Sequence, residues 1–234
     1  ACISCHPKLA DEKELSRHTH HQANSTGSNC YNCHMPYTTY GLLKAIRSHQ
    51  VDKPDVAVSL SSGRPNACNQ CHLDKTMDWT ANYLEKWYDI ARPELDEDEQ
   101  QVAASVLWLL SGDAGQRALM AWTMGWQPAR EASGEDWLAP YLGQLLLDPY
   151  QAVRFIAARS LRRLEGYNDL AYDFENPRDQ REAALERVRQ RWSQRPASPD
   201  DRESVLVDAS GQLDWDQFRR LLGERDDRRI NLAE

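Results

Sequence analysis

Six cysteines fall before residue 72 and come as three pairs: Cys2 with Cys5, Cys30 with Cys33, and Cys68 with Cys71. Each pair is split by two residues and followed at once by a histidine, His6, His34 or His72. Residues three apart lie on one side of a helical turn, so each pair sets two thiols side by side with an imidazole one step beyond. This is the attachment signature of a c-type haem, in which the sulfurs form thioethers with the two porphyrin vinyls and the histidine becomes the proximal iron ligand. The expected cofactors are therefore three covalently attached haems c, with iron bound by His6, His34 and His72.

Two other uses of paired cysteines compete with this one. A disulfide framework, the ordinary expectation for an exported chain with an even cysteine count, gives the three histidines no part. Zinc sites join one CxxC to another around a single tetrahedral ion, so three pairs are the wrong number, and zinc needs no histidine directly after each pair.

The spacers are short: 24 residues lie between Cys5 and Cys30, and 34 between Cys33 and Cys68. Both are polar, and Ser25–Asn29 and Ser59–Pro65 read as turns. Too few apolar side chains are present to build a core, so the porphyrins must supply the buried apolar surface. Residues 1–90 are thus expected to be a loop-rich, haem-packed trihaem domain that does not fold without cofactor. The short spacers also bring the macrocycles close enough for electron hopping.

Four further histidines, His18, His20, His21 and His49, complete the seven in the chain, and all lie in this same region. Histidine is a usual second axial ligand, and the confinement points to bis-histidine coordination, with four candidates for three irons leaving one spare. A surface histidine cluster is the bland alternative. Among the methionines, Met35 follows His34 too closely to reach the far side of the same haem and Met77 is a candidate, whereas Met120 and Met124 sit in apolar helical patterns and read as core.

The stretch from Arg17-His18-Thr19-His20-His21 through Cys30–Pro36 to Arg47-Ser48-His49, then Gly63–His72, resembles multihaem cytochromes c that carry a C-terminal helical repeat region. The resemblance implies axial roles for His49 and for some of His18, His20 and His21. Members of that family commonly carry more chain, and often another haem site, ahead of the point where Ala1 stands here.

Beyond Pro93 the pattern turns helical. Val102, Val106, Leu109 and Leu110 keep three-and-four spacing, and Ala114, Ala118, Leu119, Trp122 and Trp126 form a second stripe after Ser111-Gly112-Asp113. A second pair opens with Trp137, Leu138, Tyr141, Leu142, Leu145 and Leu146, turns at Asp148-Pro149, and continues with Val153, Ile156, Ala157 and Leu161. Its second helix, opening Asp148–Arg154, looks like that of a HEAT repeat. An irregular helical bundle is the competing reading. A further helix is expected from Arg178 to Trp192, a linker over Ser193–Arg202, and a last short helix over 214–223. The expected architecture is all-α: a trihaem domain at 1–90, a HEAT-like α-solenoid at 91–195, and a linker with a short helix and tail at 196–234.

Residues 1–90 hold 9 Lys+Arg and 9 Asp+Glu, so the formal charge of -8 arises wholly in the later part, which argues against a nucleic-acid partner. The longest apolar run, Val106–Leu110, is far too short for a transmembrane segment. The expected function is electron transfer by an exported electron carrier, periplasmic or extracellular, rather than by an enzyme. Its partners would be redox proteins, other multihaem cytochromes or copies of itself, and its targeting segment would lie outside this sequence. A reductase of a small nitrogen or sulfur oxyanion, which needs an open iron, is one alternative. A structural subunit of an extracellular haem-wire assembly is the other.

Overall fold

Helix dominates the computed structural model, which describes residues 2–39, 44–195, 203–208 and 210–228. The first part holds α1 (Cys2–Cys5), α2 (Glu12–Thr19), α3 (Cys30–His34), α4 (Val56–Ser62) and α5 (Met77–Tyr88). The second holds α6 (Glu97–Gln101), α7 (Ala104–Leu110), α8 (Ala114–Thr123), α9 (Gln127–Ser133), α10 (Leu138–Gln144), α11 (Gln151–Leu161), α12 (Arg178–Ser193) and α13 (Trp215–Gly223). One short antiparallel ladder interrupts the helices: β1 (Tyr37–Thr39) pairs with β2 (Ala45–Arg47), with Tyr37 opposite Arg47.

Side-chain caps explain six of the thirteen helix starts among the described residues. Asp11, Asp55, Thr76, Asp96, Asp113 and Asp214 each precede a helix and accept backbone N–H groups of its first turn, satisfying donors that have no intrahelical partner. The Asp55 cap starts α4 through Ser59–Ser62, where composition suggests a turn; the turn comes only at Gly63, whose φ of 69° suits glycine. Likewise α7 begins after the apolar stripe does. Ala103 bridges Thr76 in an extended conformation, so Val102 lies outside the helix although it is buried. Trp126 does not extend α8 but stands at the N-terminus of α9, where Pro128 is tolerated.

The later helices pack in sequence: α7 on α8, α8 on α11, α11 on α10 and α10 on α12. Leu109, Leu119, Trp137, Leu138, Tyr141, Leu142, Leu161 and Val188 are among the fully buried side chains between them. Met120 and Met124 lie in this core as expected. The core also takes in Val56, Leu73 and Met77 from the cysteine-rich part and Val205, Phe218 and Leu221 from the chain end. Residues 196–202 of the expected linker lie outside the described residues. After it, Ser204 Oγ donates to Asp74 O (2.8 Å) and the Tyr141 hydroxyl donates to Val205 O (2.5 Å). Among the described residues no helix is long and apolar enough to cross a membrane.

Candidate cofactor-binding site

Two of the three motifs are short helices, α1 and α3, whereas the third occupies a 3₁₀ turn at Cys68–Gln70. In the second and third motifs the residues between the cysteines tie the segment down. Asn32 Nδ2 donates to Thr26 O (2.7 Å), and Gln70 holds both sides of Tyr37, accepting its N–H (3.1 Å) and donating to its carbonyl (2.9 Å). Thr80 Oγ1 donates to the buried Asn69 Oδ1 (2.8 Å), joining the third motif to α5. Arg47 backs the second motif: its guanidinium donates to Tyr31 O and Met35 O, pairs with Asn32 Oδ1, and stacks on the rings of Tyr31 and Tyr37.

Cysteines of successive motifs lie within electrostatic reach of one another. Burial, followed by the nearby Cys2, pushes the Cys30 thiol up. Cys33 lies within electrostatic reach of both Cys68 and Cys71, whose thiols are pushed up to about 12, chiefly by burial. The three CxxCH segments thus lie near one another in chain order. Among the described residues no three His, Cys, Asp or Glu side chains converge as a metal ion held by protein groups alone would require, which the zinc reading needs.

The histidines are sorted by α2 and the turn after it. The His18 and His34 rings are 6.1 Å apart, centre to centre, with planes 8° from parallel. His21 and His72 stand 5.9 Å apart at 29°. Two imidazoles bound at about 2 Å on opposite sides of one metal ion, with about 1 Å more to each ring centre, would stand roughly 6 Å apart. Both pairs match that span. His34 Nδ1 donates to Asp52 O (2.7 Å) and His21 Nδ1 donates to Thr19 O (2.7 Å). A carbonyl can only accept, so in each ring the proton sits on Nδ1 and Nε2 keeps its lone pair, the arrangement seen behind metal-bound histidines. Burial and then the facing imidazole hold the His18 and His72 pKa values below the ordinary range, favouring the neutral ring that can ligate.

The other candidates have different surroundings. His20, the left-handed residue that ends α2 (φ 56°), stacks on Trp87 at 4.0 Å and meets the edge of Tyr88. His6 and His49 are exposed, and His6 lies within electrostatic reach of His18. Met77, a candidate ligand by sequence, is packed in the apolar core instead.

Sequence reasoning missed an aromatic ladder on α5. His72 leads to Trp79 (5.0 Å), Trp79 to Tyr83 (4.8 Å), Tyr83 to Trp87 (4.6 Å) and Trp87 to His20, and the Tyr88 hydroxyl donates to His18 O (2.5 Å). The signal was present as aromatics four residues apart at 79, 83 and 87. Comparisons with protein-family models, curated proteins and solved structures return no match.

Proposed function

We propose that this chain is a c-type cytochrome that carries three covalently bound haems and passes electrons between redox proteins outside the cytoplasm. The observation that carries the reading is the placement of His18 opposite His34 and His21 opposite His72, each pair at the span of two axial ligands and each including a motif histidine. Bound haem supplies an iron that alternates between ferric and ferrous and so holds one electron at a time.

The chain's own residues set the terms of transfer. Cys30 with Cys33, and Cys68 with Cys71, would hold two porphyrins covalently. His34 with His18, and His72 with His21, would hold the irons, and a pair of histidine ligands favours electron transfer over substrate activation. Asp52 O and Thr19 O hold His34 and His21 in one orientation and tautomer. The half-buried rings of Trp79, Tyr83 and Trp87 offer a rigid aromatic wall beside both sites. The nearness of thiols from successive motifs makes the haem-to-haem path short. We read the paired helices after residue 93 as HEAT-like repeats that brace this array and offer a docking face to a redox partner.

The test is an intact mass in denaturing acid together with a potentiometric titration. The expected mass exceeds that of the polypeptide by three haems, one haem less when both cysteines of a motif are replaced by alanine, and the titration is reversible. A bare polypeptide mass from a host competent in haem attachment would overturn the proposal.

A further inference from the structure

The two motif histidines that face a second imidazole differ in their charged surroundings. His34 donates its Nδ1–H to a neutral backbone carbonyl, Asp52 O (2.7 Å), and the Asp52 carboxylate is itself matched by the Arg64 guanidinium (2.6 Å). His72 has the Asp74 carboxylate within electrostatic reach, two residues further along the chain.

The turn that carries Asp74 is tied at every carbonyl. Lys75 N donates to His72 O (3.2 Å) and closes it. Ser105 Oγ donates to Leu73 O (2.6 Å), Ser204 Oγ to Asp74 O (2.8 Å), and both Asn69 Nδ2 (2.9 Å) and Ala104 N (3.0 Å) to Lys75 O. The third motif, the start of α7 and the chain end thus hold the carboxylate beside the ring, and a charge fixed in partly buried surroundings acts strongly on its neighbours. Asp74 Oδ2 pairs with Lys75 Nζ (2.7 Å), while Oδ1 is buried and has no hydrogen-bond partner among the described residues. Compensation therefore rests on one ammonium whose side chain is 40% exposed and screened by solvent. Burial and the facing His21 hold the His72 pKa down; of the two charged side chains in reach, Asp74, which pulls it up, acts more strongly than Lys75.

Resting on the trihaem reading, we infer that Asp74 sets the reduction potential of the haem held by Cys68, Cys71 and His72 below that of the haem held by Cys30, Cys33 and His34, so that electrons pass from the third motif to the second. Ferric haem carries more positive charge than ferrous haem, and a fixed carboxylate stabilises the more positive state. In the transfer one electron leaves the iron at His72 and reduces the iron at His34; no bond is made or broken and no proton moves. Arg47 lies within reach of Cys33 and Cys71 alike, so its guanidinium does not separate the two sites and Asp74 does.

The experiment uses holoprotein already shown by mass to carry three haems, so that failure here is separate from failure of the haem reading. A potentiometric titration is followed by visible absorbance and low-temperature EPR. The variants Cys30→Ala/Cys33→Ala and Cys68→Ala/Cys71→Ala each remove one haem and so assign the couples. The couple lost with the second variant is expected at the more negative potential. Asp74→Asn keeps the shape and removes the charge, and should move that couple alone to a more positive potential with its low-spin signal intact. In the Cys68→Ala/Cys71→Ala background the same change should move nothing. Lys75→Gln should shift the couple the opposite way, which a loosened turn would not do, and it decides the matter if Asp74→Asn does not fold. An unmoved couple in Asp74→Asn would overturn the inference, as would an unmoved or more positive one in Lys75→Gln. Equal shifts at all three haems would replace it with a general effect of net charge, and a wild type whose His72 couple is the more positive of the two would reverse the direction of transfer and so refute it.

Discussion

Around His21 the fit depends on a missing side chain. A Cβ on residue 27 would stand 2.3 Å from His21 Cδ2, 2.5 Å from Cγ and 2.9 Å from Nε2, so glycine is what lets the backbone approach the ring. Thr19 and the buried Ser28, whose hydroxyls bond each other (2.9 Å), close the other sides. Gly27→Ala should therefore displace His21 and turn the haem at His72 high-spin while the mass still shows three haems. Gly223→Ala, where a Cβ meets open space, should leave the EPR spectrum unchanged, and an unaltered spectrum in Gly27→Ala would count against His21 as a ligand. At this scale the three CxxCH spacings were legible because each is a local pattern of residue order. The sorting of His18 and His21 from His20 was not, because it turns on one left-handed residue: the positive φ at His20 ends α2 and sends two adjacent histidines to different neighbours.

Helices α2 and α5 meet through only a few groups. Trp87 covers His20, and Tyr88 donates to His18 O, so the C-terminal end of α2 is held where His18 must point. The combined change Trp87→Ala and Tyr88→Phe removes both holds; the hydrogen bond alone is worth about 0.5–1.5 kcal/mol. In a background lacking Cys68 and Cys71, the double variant is expected to show a partial high-spin signal at the His34 site, with the visible spectrum reporting the fraction. A fully low-spin site would mean that α2 needs neither contact. Helix α2 does not follow from a search for aliphatic stripes because none of its side chains is buried, whereas α5 turns Met77, Ala81 and Leu84 to the core and carries its rings on another face. By contrast α10 and α11 were legible from Leu138, Leu142, Val153, Ile156 and Leu161, each a side chain whose burial is worth about 1.5–3 kcal/mol. The late start of α7 was hidden because the extended pairing of Ala103 with Thr76 joins residues far apart in sequence.

Across the whole molecule one ion pair gathers distant segments. Arg117 on α8 and Asp148 before α11 are both fully buried, with Nε to Oδ2 at 2.7 Å, and Arg117 also donates to Gly112 O (2.7 Å) and Asp226 O (2.9 Å). Arg117→Ala leaves a carboxylate buried without its cation, a loss of about 3–5 kcal/mol. Urea denaturation of the holoprotein should show that loss, and adding Asp148→Asn should recover part of it; equal midpoints for wild type and Arg117→Ala would refute the role. The turn at Asp148-Pro149 and the helix after it were readable in sequence, but the return of residues 224–228 onto Arg117 was not, since no local pattern encodes a contact over that separation.

On the proposed trihaem reading, the nearness of Cys2 to Cys30 bears on the order of events during maturation. In an oxidising compartment, two thiols held together by folding are the substrate for a disulfide. A bond between these two would take one sulfur from each of two motifs and forfeit two haems at once. Thioethers do not exchange with thiols, so once the porphyrins are attached the same proximity is harmless. On that reading the nearness of the motifs sets a schedule: covalent attachment would have to come first, while the segment is still open, and the tertiary contacts that bring the motifs together would have to follow.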